Sequence, residues 1–283
     1  MYGKFCQDNK LSFQTNTSIL SPDHTTLFCT SGMHHFKNQF SDLNYQNTFS
    51  NIQSCLRLND LDEIGDGTHY LVFHMLGLFS FRQWSLTKTI DFWMSFLDTI
   101  NLLPQYVTIH PDKYHQWKSF YSNYNVDIKE DSECIWNDGN IGGYCTEFYY
   151  NNVEIGNIVN TLDTCIDVGF GGERILNLKN LLPVSTKNEI LIETIQSLIQ
   201  DNIQLSNNQH GYILKKLITL LIYNQGFFDH PFYHQIYKQQ KDKWQFYLSN
   251  CQKNKFKNKD KSWWLDTHGV NLDKLDIISF FNL

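Results

Sequence analysis

Asp167, Arg174 and three glycines fall within eight residues of the stretch CIDVGFGGERIL (165–176). Glycines let a backbone bend tightly and let other groups approach it closely. A carboxylate and a guanidinium fixed beside such a segment offer one anchor for an ammonium and one for a phosphate or carboxylate. The plainer reading is a strand-to-helix turn with a solvated Glu173–Arg174 pair, and these twelve residues alone leave both open. A second cation, Arg57, stands in CLRLNDLDEIG (55–65) after an apolar approach. It is poor core material, because a buried charge needs a partner.

These groups need elements to position them. HYLVFHMLGLFSFR (69–82) is a continuous apolar run, rich in aromatic and β-branched residues, and reads as a buried strand followed by a turn at Gly77. TTLFCT (25–30) reads as a short strand ending at Gly32, within a 24–56 segment that is otherwise polar and mixed. SLTKTIDFWMSFLDTINLL (85–103) has helical spacing behind an N-terminal Ser. QYVTIH (105–110) is a strand, TEFYYNNVEIGNIVNT (146–161) is two strands joined by Asn-Asn, and Cys165–Val168 is another. Beyond Arg174, NEILIETIQSLIQDNI, GYILKKLITLLIYNQ and HPFYHQIYKQQKDKWQFYLSN are helical patterns. The expectation is an α+β chain, strand-rich and antiparallel first and helical afterwards, with a boundary near residues 176–190.

Composition narrows the function classes. A chain of 283 residues with 41% hydrophobic and 15% aromatic content buries a core, as one large domain or two smaller ones, and is not disordered. No run is long enough to cross a bilayer, and MYGKFCQDNKLSF lacks the layout of a signal peptide, so a cytoplasmic protein is expected. Seven cysteines without a CxxC suit free thiols in a reducing compartment. Neither HxxxH nor CxxxH occurs and His34–His35 are adjacent, so no zinc and no other metal-ligand motif is expected. A net charge of −6 argues against a protein that coats nucleic acid generally. Lys238–Lys261 nevertheless carries +6 against −12 for the remainder. Its dense part, KNKFKNKDK (253–261), is either a solvated loop or a local phosphate-contacting patch.

The order of motifs is more specific than any one of them. DHTTLFCTSGMHHFK (23–37), CLRLNDLDEIG, FHMLGLFSF (73–81), IWNDGNIGGYCTE (135–147), VEIGNIV (153–159) and IDVGFGGERI (166–175) come first. LSNNQHGYILKKL (205–217) and WWLDTHGVNLD (263–273) follow. In order, and over nearly the whole chain, this series resembles the class II alanyl-tRNA synthetases. The resemblance implies an antiparallel sheet flanked by helices, with a catalytic domain over 1–180 and a small helical domain over 181–283 that recognises a tRNA acceptor stem. It implies ATP and Mg²⁺, alanine, and tRNA as substrates and partners. Arg57 would then match the arginine of motif 2 and DVGFGGER motif 3. Arg57, Asp167 and Arg174 carry the chemistry in that reading. ATP falls to Arg57, Phe73, Glu147 and Arg174, and the amino acid to Met33, Trp136, Asn157, Val159, Asp167 and Gly169. Without the motif context Phe73, Val159 and Met33 are equally good core residues. Asn207 and Asp266 match the family's readers of an acceptor-stem G·U pair, with Lys215 and Lys216 beside them for phosphates.

The departures are specific. A GGKH segment, with its lysine, is missing after Arg57, which bears on activation efficiency. His74 stands for a Glu, as either a general acid-base position or an ordinary histidine. Gly156 stands for a Trp and is expected to open the amino-acid pocket. No editing or oligomerisation domain follows, so a monomer is expected. The leading expectation is a minimal alanine–tRNA ligase. The alternatives are a relative that activates a small amino acid for a non-tRNA acceptor, and a degenerate tRNA-binding protein.

Overall fold

A computed structural model describes every residue except Asp23, His24, Asn140 and Asn254. The first two open the 23–37 stretch, Asn140 belongs to 135–147 and Asn254 to the lysine run, so these parts of the sequence reading lie outside the described residues. The chain forms two compact units, Met1–Ser185 and Thr186–Leu283. Among the described residues no helix is long and apolar enough to cross a membrane.

The first unit is built on nine strands: β1 (Ser12–Asn16), β2 (Asn47–Leu56), β3 (Val72–Phe81), β4 (Tyr106–Ile109), β5 (Asp127–Glu130), β6 (Ile135–Asp138), β7 (Ile141–Tyr150), β8 (Val153–Thr161) and β9 (Cys165–Gly171). They form one sheet in the order β1-β2-β3-β9-β8-β7-β4-β5, with β6 paired to β7. Pairing is antiparallel except between β1 and β2 and between β4 and β5. Helices α1 (Tyr2–Asp8), α2 (Lys37–Ser41), α3 (Leu86–Thr99), α4 (Pro111–Trp117) and α5 (Gly172–Leu178) complete it. The fold is therefore α+β, a mostly antiparallel sheet flanked by helices.

Alternation divides the sheet into two faces. Leu76, Leu78, Ile158, Ile166, Val168 and Phe170 are buried in one core with the apolar side of α3, each worth roughly 1.5–3 kcal/mol on burial. α3 starts where Ser85 Oγ accepts the Lys88 N–H, a side-chain cap on an otherwise orphan donor. Trp93 of α3 stacks on Phe170 of β9 at 4.1 Å between centroids and 6° between planes. The intervening residues face the other way. Phe73, Met75, Gly77 and Phe79 of β3, Asp167 and Gly169 of β9, Asn157 and Val159 of β8, and Cys145 and Glu147 of β7 thus share the opposite face.

Two sequence expectations are corrected. β3 runs straight through Gly77, paired with Asn51 on one side and Gly169 on the other, so there is no turn. TTLFCT is not a strand: Phe28 makes a single bridge to Leu20, and the chain then enters a 3₁₀ turn over Gly32–Phe36. The tight spot is Gly156. A Cβ there would sit 2.3 Å from Cγ of Phe170 and 2.6 Å from the Gly169 carbonyl oxygen. The space left by the missing side chain at 156 is filled by Phe170, while Gly156 itself is among the residues that line the cavity of this unit. Gly156→Ala is expected to cost about 1–3 kcal/mol through overpacking, read as a fall in Tm by calorimetry.

The second unit is helical: α6 (Lys187–Gln200), α7 (Gln209–Tyr223), α8 (Pro231–Asn250), α9 (Lys261–His268) and α10 (Ile277–Phe280). α6 opens with a capping box between Thr186 and Glu189. Leu191, Ile195, Leu198, Leu214, Ile218, Leu221, Ile236 and Trp244 are buried at helical spacing.

Candidate active site

The polar face of the sheet in the first unit holds a cavity of about 350 Å³. Arg57, Phe73, Glu147 and Arg174 all line it, and so do Trp136, Asn157, Val159, Asp167 and Gly169. Met33 does not. It is fully buried in a separate core with Phe49, Phe79 and Ile141, the structural alternative left open for it above.

The floor follows from strand register. Glu147, Asn157 and Gly169 lie in one row across β7, β8 and β9, and Cys145, Val159 and Asp167 in the next. None of the glycines at 169, 171 and 172 has a positive φ, and β9 passes directly into α5 at Gly172, so the strand-to-helix turn does not depend on glycine backbone angles. Its glycines serve close approach instead. A Cβ on Gly169 would lie 2.9 Å from Sδ of Met75, which packs against that backbone.

Asp167 is only 9% exposed, and its carboxylate has no hydrogen-bond partner among the described residues. Burial alone pushes its carboxyl up to about 7. A buried acid with no donor is costly unless a cation completes it.

Arg57 follows β2 directly. Its Nε donates to the Thr30 carbonyl at 2.9 Å, and its guanidinium lies 5.1 Å from the centroid of the Phe73 ring. It makes no ion pair among the described residues, and it lines the cavity with donors left over. Arg174, in the first turn of α5, donates to the Glu154 carbonyl at 2.8 Å and lies 3.4 Å from Glu154 Oε2. Glu147 accepts from Tyr149 Oη at 2.8 Å, and burial raises its carboxyl above the ordinary range, with a further push from Glu154.

His74 is exposed on the rim outside the cavity lining. Its backbone N–H and Nδ1 meet the two carboxylate oxygens of Glu173 at 2.8 and 2.7 Å. This contact holds the imidazole above its ordinary pKa, against a smaller opposing effect of burial. His74 thus clamps the start of α5, and nothing in its position offers a substrate-facing proton.

Sequence reasoning missed the segment after Arg57. Asp60, Thr68, His69 and Tyr70 line the cavity. His69 is held between Asp66 at 2.6 Å and Glu63 at 3.1 Å, and Asn177 of α5 donates to the Gly67 carbonyl at 2.7 Å. The readable signal was Gly65-Asp66-Gly67-Thr68, a turn-forming run in which Asp66 accepts the Thr68 and His69 N–H groups.

In the second unit Asn207 and Asp266 are both exposed. Lys215 Nζ donates to Asn207 Oδ1 at 3.1 Å. Lys243 has its pKa lowered by burial and then by the charge of Lys215, and its ammonium lies against Gly269 at the C-terminal cap of α9. Asp266 is on that helix, bonded by Ser262 at 3.1 Å, and Lys216 lies over the Tyr212 ring.

A profile of the family described as tRNA synthetases class II (A) matches residues 4–181. The chain is similar to the alanine–tRNA ligase of Buchnera aphidicola subsp. Baizongia pistaciae, at 30% identity over 73% of this chain and 33% of that protein. It is similar to the alanine–tRNA ligase of Ehrlichia ruminantium (strain Welgevonden), at 25% identity over 76% of this chain and 33% of that protein. The chain therefore spans about a third of the length of the curated relatives it matches. A crystal structure of apo S. aureus histidyl-tRNA synthetase aligns with a TM-score of 0.43 and 11% identity, over 71% of this chain and 75% of that one. With well over half of the chain matched, it belongs to the family described as tRNA synthetases class II (A).

Proposed function

We propose that the first unit activates alanine with ATP and that the second helps present a tRNA acceptor stem. One observation carries this reading: a buried, unpartnered carboxylate, Asp167, shares a cavity with two guanidiniums, Arg57 and Arg174. That is the pattern a zwitterionic amino acid and a polyphosphate require. Asp167 takes the ammonium. Arg57 takes the amino-acid carboxylate and the α-phosphate. A carboxylate oxygen attacks the α-phosphorus, the bond to the β-bridging oxygen breaks, and pyrophosphate departs, leaving alanyl-adenylate. No protein nucleophile is needed, only in-line positioning and charge neutralisation.

Phe73 and Arg174 supply two flat faces for the adenine, and Trp136 and Val159 limit the side chain to a small one. Glu147 and Glu154 both line the cavity, and the push of Glu154 on the Glu147 carboxyl suits a bound cation. Their hard oxygen donors fit Mg²⁺, which would neutralise the departing pyrophosphate. The acyl group then passes to the terminal ribose of tRNA(Ala), with Asn207 and Asp266 reading the stem and Lys215 and Lys216 on its phosphates.

ATP–pyrophosphate exchange over a panel of small amino acids tests the first step, and charging of tRNA(Ala) the second. Exchange that peaks with alanine, followed by charging, is the expected result. Exchange with transfer only to another acceptor would replace tRNA in this scheme, and no exchange with any amino acid would end it.

A further inference from the structure

Beside the cavity, strand pairing brings two thiols that adenylation does not use against one edge of Glu147, whose Oε1 faces them while Oε2 lies on the side read above towards Mg²⁺. Cys134 precedes β6 and Cys145 lies on β7. The Ile135–Tyr144 register continues to them, and the Cys145 N–H donates to the Cys134 carbonyl at 2.9 Å. Glu147 is two residues along β7, hence on the same face as Cys145, and Thr108 of β4 is its cross-strand partner. The two sulfurs and a Glu147 carboxylate oxygen all lie within 4.8 Å of one another. Cys134 Sγ donates to Thr108 Oγ1 at 2.9 Å, and Cys145 Sγ is 4.0 Å from Glu147 Oε1. Both thiols are closed to solvent, packed with Val159 and Trp136.

Apolar packing is sufficient reason for two buried cysteines. It is no reason for a carboxylate turned towards them.

We propose that Cys134, Cys145 and Glu147 ligate a thiophilic divalent cation, with zinc as the type, in the wall of the cavity. Two sulfurs and one oxygen form a donor set for a borderline-soft ion, unlike the all-oxygen sets of Mg²⁺ or Ca²⁺. Tetrahedral zinc–thiolate geometry places ligand atoms roughly 3.7 Å apart, so the three side chains draw together by about 1 Å at most. The fourth position goes to the Thr108 hydroxyl or a water. Binding expels both thiol protons, and Glu147 Oε2 stays with Tyr149. The expectation of no zinc rested on the lack of closely spaced ligands. Ten residues separate these cysteines in the sequence, and only the β6–β7 pairing joins them.

The full chain, reduced and stripped with a chelator, is titrated with Co²⁺ in millimolar Mg²⁺. The expected result is thiolate-to-cobalt charge-transfer absorption that saturates at one equivalent, survives the Mg²⁺ and is bleached by Zn²⁺. Cys134→Ser and Cys145→Ser should each weaken binding at least roughly tenfold, while Cys251→Ser leaves it unchanged. Absence of that absorption in native protein whose seven thiols all react after denaturation would overturn the proposal. So would a Cys134–Cys145 disulfide found by mass spectrometry together with no cobalt binding after reduction. The titration of native protein decides even if the variants fold poorly.

Discussion

Arg57→Ala is expected to lower the rate of alanine-dependent pyrophosphate exchange by roughly 10²–10³-fold, with little change in Tm. The argument rests on what Arg57 already touches. One N–H is committed to the Thr30 carbonyl and the guanidinium carbon lies over the Phe73 ring, so the fork is held in place before any substrate arrives. A donor set in advance stabilises the charge growing on the α-phosphate without reorganisation. Loss of it should appear mainly in kcat, because the carboxylate–phosphate geometry exists only at the transition state. Arg57→Lys should recover little, since an ammonium can neither form the bidentate contact nor keep the contact over Phe73. Exchange at wild-type rates in Arg57→Ala would remove this residue from the reaction.

The second large effect is at Asp167, and its sign differs between activity and stability. Asp167→Asn should reduce kcat/KM for alanine by roughly two orders of magnitude, carried by KM, as a buried ion pair with the ammonium is lost. In the wild type, KM for alanine should rise as pH falls below about 7, the region to which burial has pushed this carboxyl. That dependence should vanish in Asp167→Asn. Stability runs the other way. The folded protein retains a proton here that the unfolded chain has released by about pH 4, so stability declines as pH rises through the window from 4 to 7. At pH 8 without ligand, Asp167→Asn should therefore be the more stable protein, by on the order of 4 kcal/mol at most. Denaturant melts at pH 5 and pH 8 measure this. An unchanged difference between the two proteins at the two pH values would show that Asp167 is not held in an ionisation-resisting site.

Elements with a clean period were legible in the sequence. α3, β4 and the β7–β8 hairpin stand where their patterns put them, with Asn151 and Asn152 both at positive φ in the turn. β2 was not legible, because Ser50, Asn51, Gln53 and Ser54 are buried in it, satisfied partly by Ser12 and Ser18 carbonyls that no local pattern announces. β3 was read as strand, but its apolar run gave no hint that Gly77 continues it, since that depends on Asn51 and Gly169 from other strands. The cavity was legible as motifs for Asp167, Arg57 and Arg174. His69 and Thr68 escaped, because a turn held by its own Asp66 reads as an ordinary loop until Asn177 docks it. Met33 shows the converse: a motif position whose side chain packs into core.

The place of β3 in the sheet also bears on how the chain is made. β2 and β3 are close in sequence and can pair as soon as both have left the ribosome. The other edge of β3 must wait for β9, whose residues 165–171 come some ninety positions later. At about 5–20 residues per second, that leaves HMLGLFSF with one open, apolar edge for roughly 5–20 seconds. Such an edge is a template for any neighbouring nascent chain, and pairing across so long a loop is slow. Yield on overexpression should thus be set by that interval, with slower growth temperatures and early chaperone binding favouring the completed sheet.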